Sequence, residues 1–132
     1  MQNGTIPDSS ITASSSLSAN DGPQNARLHH QIGGLLYGAW RPLFNNADQW
    51  LKVDFSVERQ VTVVATQGRE EGLFWVKTYL LSYSSDGMNY TMYEQDGGAK
   101  VTALLLHRQE FTSLGVVKIT FLTFELCPGN LT

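Results

Sequence analysis

Two short apolar segments constrain this chain more than any other feature: Trp50-Leu51-Lys52-Val53-Asp54-Phe55 and Val61-Thr62-Val63-Val64-Ala65-Thr66. In the first, Leu51, Val53 and Phe55 alternate with Lys52 and Asp54. That two-residue period is a strand with one wet face and one dry face. The second is rich in β-branched residues without polar alternation, as in a more buried strand. Ser56-Val57-Glu58-Arg59-Gln60 reads as the polar connection between them, and Gln67-Gly68 closes the pair.

The rest of the chain continues in strands. Trp75, Lys77, Tyr79, Leu81 and Tyr83 alternate with Val76, Thr78, Leu80 and Ser82. The turn Ser84-Ser85-Asp86-Gly87 follows, with Asp-Gly as its strongest element, and Asn89 to Tyr93 is the return strand. Glu94 to Lys100 is a loop. Leu104-Leu105-Leu106 suits a strand or a short helix, and Val116 to Leu126 alternates as a strand. Residues 1–27 are polar, anchored at Ile6 and at Ile11-Thr12-Ala13. They contain Asn20-Asp21-Gly22-Pro23, whose residues tolerate tight turns. Gly33-Gly34 and Gly38 frame Leu35-Leu36-Tyr37, an apolar tip that either reaches outward or packs inward. Trp40, Trp50 and Trp75 stand at strand starts, and their first reading is core.

Composition excludes several functions. At 132 residues with 42% hydrophobic content, the chain suits one domain with a core of its own. A net charge of −3 and the absence of a Lys/Arg cluster argue against nucleic acid. No apolar run approaches the ~20 residues that span a bilayer, and the start shows no signal peptide. Cys127 is the single cysteine, too few for an internal disulfide or a thiolate cluster. Three sequons, at Asn3, Asn89 and Asn130, are candidate glycosylation sites and point outside the cell. His29 and His30 are adjacent, so on a strand they face opposite sides and cannot share a metal. Glu70-Glu71 lie on a loop with no cleft in view, and the Ser14-Ser15-Ser16 run lacks a partnered base. The chain reads as a non-enzyme without a cofactor.

A small residue before an aromatic at Ala39-Trp40, then Trp50-Leu51-Lys52-Val53-Asp54-Phe55, then a β-branched strand closing on Gln67-Gly68, resembles the core signature of discoidin domains, also called coagulation-factor C-type domains. Gly4 to Asp8, Ile11 to Ser15, Ala26-Arg27-Leu28, Trp75 to Tyr79, Leu81 to Ser84 and Asp86-Gly87 resemble the same family. The resemblance covers about residues 1–101, leaving 102–132 as a divergent segment that either supplies substitute strands or leaves the barrel open. Phe124-Glu125-Leu126-Cys127 faintly echoes the family's closing strand, whose cysteine pairs with one lying ahead of the position of Met1. The resemblance therefore implies an all-β, discoidin-like jelly-roll sandwich, a fragment incomplete at the C-terminal end.

It also implies a ligand site on three loops at one end of the barrel: around Leu17 to Pro23, around Gly33 to Gly38, and Arg69 to Phe74. Ser18, Asn20, Asp21, Leu35, Leu36, Tyr37, Arg69, Glu70, Glu71 and Phe74 are the candidate contacts. Arg69 either holds a carboxylate or sugar hydroxyls or pairs with Glu70, Glu71 or Asp21, and Arg27 pairs internally beneath the loops. Asn20, Asp21 and backbone carbonyls could also hold a calcium ion. The implied function is non-catalytic recognition of glycans or glycoproteins at the cell surface or in the matrix, in adhesion, as part of an extracellular parent protein. The alternatives are a surface that binds anionic phospholipid through Leu35-Leu36-Tyr37, and a carbohydrate-targeting appendage of a secreted enzyme.

Overall fold

The computed structural model describes residues 4–30, 38–61, 63–64, 66–67, 74–94, 97–98, 101–102, 107–108 and 114–126. Its strands are β1 Ile11–Ala13, β2 Gln49–Arg59, β3 Val63–Val64, β4 Phe74–Ser84, β5 Thr91–Met92, β6 Val101–Thr102, β7 His107–Arg108 and β8 Leu114–Leu126. A six-stranded sheet runs β1-β2-β8-β4-β5, with β6 also on β4, and β3 pairs with β7 in a second sheet. All of these pairings are antiparallel. Leu81 of β4 packs against Val61 and Val64, which joins the two sheets into a sandwich.

The alternation predicted for β2 is the observed one. Leu51 and Val53 are buried, Phe55 packs beside Leu81, and Asp54 points to solvent. Ile11, Leu51 and Tyr79 form the main core, with Ile6, Ala13, Ala26, Trp40 and Val76 around them. Burying a side chain such as Leu51 is worth roughly 1.5–3 kcal/mol, so the alternation alone is enough to choose which face turns inward. Burial also raises the pKa of the Tyr79 hydroxyl.

Leu114–Leu126 lies in the middle of the large sheet, hydrogen-bonded to β2 on one side and β4 on the other. The segment beyond the visible resemblance thus supplies the strand that joins the two most legible ones.

Three local expectations are corrected. The strand expected to end at Phe55 continues to Arg59, across a register shift after Asp54. Ser56 sits there at φ 62, a left-handed conformation held by its N–H donating to Asp54 Oδ1 at 2.7 Å. Within the expected strand 61–66, the described ladder is limited to Val63–Val64. The return strand is Thr91–Met92, because Asp86 holds the backbone N–H groups of Met88 and Asn89 in the turn. Leu104 to Leu106 lie outside the described residues.

Candidate functional site

Strand direction decides which loops meet. β1 is antiparallel to β2, so the exit from β1 and the entry to β2 share one end of the sheet. β2 and β4 are both antiparallel to β8, so β4 also begins at that end. Gln49 and Tyr79 both face Phe121 across β8, which puts Phe74, the first residue of β4, five positions further out than the start of β2. The exit of β1, the entry to β2 and the start of β4 therefore lie at a single pole.

The first of these segments is built around short polar side chains. Ser18 caps a 3-10 turn, Ala19–Asp21, by accepting from Asn20 N–H. Its hydroxyl donates to Asp21 Oδ2 at 2.6 Å. Asp21 is only 1% exposed, and its Oδ1 accepts from Arg41 Nε at 2.5 Å. The backbones run together as well: Leu17 N–H donates to Arg41 C=O at 2.9 Å, and Arg41 N–H to Asp21 C=O at 3.2 Å. Asn25 adds a bond from Nδ2 to Asn20 C=O at 2.7 Å.

Beneath that layer lies a second polar brace. Buried Gln49 accepts at Oε1 from Ser14 and Ser15 hydroxyls, at 2.9 and 2.6 Å, and donates through Nε2 to Asn46 Oδ1 at 2.6 Å. Trp40 Nε1 donates to Ser15 C=O at 2.9 Å, and Leu43 N–H to Ser15 Oγ at 3.0 Å. The first loop and the 38–48 segment are thus joined by several hydrogen bonds. Apolar groups are left on the outside: Leu17, Leu43 and Phe44 are 46, 49 and 57% exposed.

Four of the ten candidate contacts, Ser18, Asn20, Asp21 and Phe74, fall among the described residues. Ser18 is exposed and Asn20 half-buried on the first loop. Asp21 lies inside, as the anion that holds Arg41. Its carboxylate is already engaged by Arg41 and Ser18, so a calcium ion there would have to displace a guanidinium. Leu35, Leu36, Tyr37, Arg69, Glu70 and Glu71 lie outside the described residues, as do Asn3 and Asn130. Phe74 is placed by its backbone alone, at the head of β4.

Asn89 is exposed on the turn at the other end of the sheet. Arg27 pairs internally, as read, with Ile6 C=O and Asp8. Trp40 joins the core, whereas Trp50 lies half-buried on the outer face of β2, with Lys52 Nζ 5.9 Å from its ring centre. The Gln67 of the Gln-Gly pair accepts from His29 N–H at 2.9 Å, where His29 sits at φ 56. His30 Nε2 and Asn25 Oδ1 are buried with no hydrogen-bond partner among the described residues.

Arg41 and Gln49, which organise this pole, were not singled out from sequence. A lone Arg between Trp40 and Pro42, and a Gln on the apolar face of a strand, were the available signals.

An antiparallel two-sheet sandwich that presents connecting segments at its ends is an architecture on which binding modules are built. The F5/8 type C domain model matches residues 10–123, past the residue 101 at which the visible motifs end. The chain belongs to that family. It is 46% identical over 106 residues to coagulation factor VIII of Sus scrofa, which covers 76% of this chain and 5% of the relative. It is 39% identical over 109 residues to lactadherin of Mus musculus, covering 76% and 23% respectively. The chain therefore spans a small part of the curated relatives it matches.

Among solved structures it is similar to discoidin II of Dictyostelium discoideum, with a TM-score of 0.74 at 19% identity, over 87% of this chain and 50% of that one. It is also similar to the family 32 carbohydrate-binding module of Clostridium perfringens NanJ in complex with galactose, with a TM-score of 0.55 at 20% identity, over 94% and 89%. The chain is a non-catalytic binding domain with a discoidin-like fold. Among the described residues, no helix is long and apolar enough to cross a membrane.

Proposed function

We propose that the chain recognises glycans or glycoproteins outside the cell, through the pole formed by the first loop and the 38–48 segment, as an adhesive module of a larger protein. The observation that carries this reading is the exposed ring of Phe44 on a segment bonded alongside the polar Ser18–Asn20 turn. A sugar presents hydroxyls at its edge and C–H groups on its face. Hydrogen bonds from a polar turn and stacking on an aromatic ring answer both. Rigidity supports the reading too, since a loop already ordered by Asp21 and Arg41 has less entropy to lose on binding. The structural likeness to modules captured with galactose, and with GalNAc-β-1,3-galactose, agrees in fold.

One observation favours a second reading. Leu17, Leu43 and Phe44 are all exposed on these two segments, and large apolar side chains held out to solvent suit shallow insertion into a phospholipid surface. A carbohydrate-targeting appendage of a secreted enzyme uses the same site, and neighbouring coding sequence for a hydrolase would distinguish it. Binding of the purified chain to lactose-agarose, competed by free galactose, tests the first reading. Pelleting with phosphatidylserine vesicles but not phosphatidylcholine vesicles, without galactose competition, would replace it with the second.

A further inference from the structure

We propose that Asn89 carries an N-linked glycan, set at the end of the sandwich remote from the loop pole. The inference rests on the extracellular reading above. Asn89-Tyr90-Thr91 is an Asn-x-Thr sequon without proline at its centre. The structure places it well for the modification. Asn89 and Thr91, the two side chains an oligosaccharyltransferase reads, are both exposed, while Tyr90 between them is half-buried. Thr91 opens β5, which is paired to Tyr83 at the edge of the sheet, so the sequon leaves a turn on an outer strand.

The turn tolerates the product. Asn89 Nδ2 donates to Asp86 Oδ2 at 2.7 Å, and Asn89 N–H donates to Asp86 Oδ1 at 2.8 Å. In the transfer, the amide nitrogen bonds to C1 of a lipid-linked oligosaccharide. The C1–O bond to the lipid diphosphate breaks, and one amide proton is lost to the enzyme's base. The glycosylated amide keeps one N–H, so it can still donate to Asp86. The neighbouring Met88, 80% exposed, is a large apolar side chain that a glycan on Asn89 would screen from water.

The remoteness follows from register. Gln49 and Tyr79 share the partner Phe121, and Asp54 and Ser84 share Val116. Five steps of ~3.3 Å separate the two levels by roughly 17 Å. The loop pole lies beyond the first level and Asn89 beyond the second, so this glycan leaves the recognition surface open.

The test is glycopeptide mapping of the full chain, expressed behind a secretion signal in mammalian cells. A C-terminal glycosylation tag reports delivery to the lumen. Mapping should find Asn89 occupied. Asn89→Gln and Thr91→Ala should each lose one glycan's mass, and Thr91→Ser should keep it. A bare Asn89 on chains whose tag is modified would overturn the proposal. Lactose-agarose affinity of Asn89→Gln should stay within about twofold of the parent, and a tenfold change would overturn the remote placement. An occupied Asn89 on a chain that binds neither lactose nor vesicles would count against the proposed function alone.

Discussion

Two aspartates, each close behind a serine, anchor turns at opposite ends of this molecule, and they differ in what surrounds them. At the loop pole, Asp21 follows a capping serine and is sealed from water, with Arg41 bound to its carboxylate. At the far turn, Asp86 follows Ser84 and lies exposed. It accepts from Ser84 Oγ, from Met88 and Asn89 N–H and from Asn89 Nδ2. Both carboxylates have several donors. Only one is buried, and burial sets the penalty for removing a partner, because water can replace lost bonds at Asp86 and cannot do so at Asp21. The loop pole is thereby tied to the global fold, whereas the far turn is a local device.

That difference can be broken by substitution. Asp21→Ala should cost the most, about 3 kcal/mol in urea unfolding, because it removes the buried carboxylate that the half-buried Arg41 guanidinium is paired with. A loss no greater than that of Asp86→Ala would sink the distinction. Ser18→Ala removes the cap and one bond to Asp21, and should cost about 1 kcal/mol by the same measurement.

Asp86→Ala should show a smaller effect with a particular pH dependence. The backbone N–H groups of Asn89 and Met88, then the side chains of Asn89 and Ser84, hold the Asp86 carboxyl well below the usual carboxylate range. A carboxyl with a folded pKa below its unfolded value of about 3.9 stabilises the fold above that pH, and the contribution fades as acid approaches the folded value. The melting temperatures of the parent and Asp86→Ala should therefore differ most at pH 7, and the gap should narrow progressively below about pH 4. A gap that is constant across that window would argue that the turn works without the charge. Phe44→Ala should change stability least, within about 0.5 kcal/mol, because the ring is exposed. It should nevertheless weaken lactose-agarose binding by about two- to twelvefold, the worth of one aromatic contact. Unchanged binding would move recognition away from the 38–48 segment.

How much was legible varies with the range of the interaction. β2 was readable because its two faces are written in alternate residues, Leu51 and Val53 against Lys52 and Asp54. The far turn was readable because Asp86-Gly87 is a local signal, and Gly87 indeed adopts φ 72. Arg27's internal pairing followed from the family resemblance. The extension of β2 to Arg59 was hidden, since Ser56-Val57-Glu58-Arg59 carries no strand pattern and the bulge depends on one side-chain bond from Asp54. The inward position of Asp21 was hidden for a different reason. An Asn-Asp-Gly-Pro turn looks the same whether its carboxylate faces solvent or an arginine twenty residues away.

By itself, the sequence determined that this is an all-β chain with a discoidin-type core, and that it is built to bind and not to catalyse. Those conclusions rest on period-two alternation, local turn chemistry and family motifs, each of which is contained within a short stretch of neighbouring residues. Tertiary structure alone decided that Leu114–Leu126 is the central strand and that Asp21 and Arg41 lock the loop pole. It likewise set the loops and Asn89 at opposite ends. Each of these depends on contacts between distant parts of the chain, and pairing across such distances is settled by register and burial, which no local pattern records.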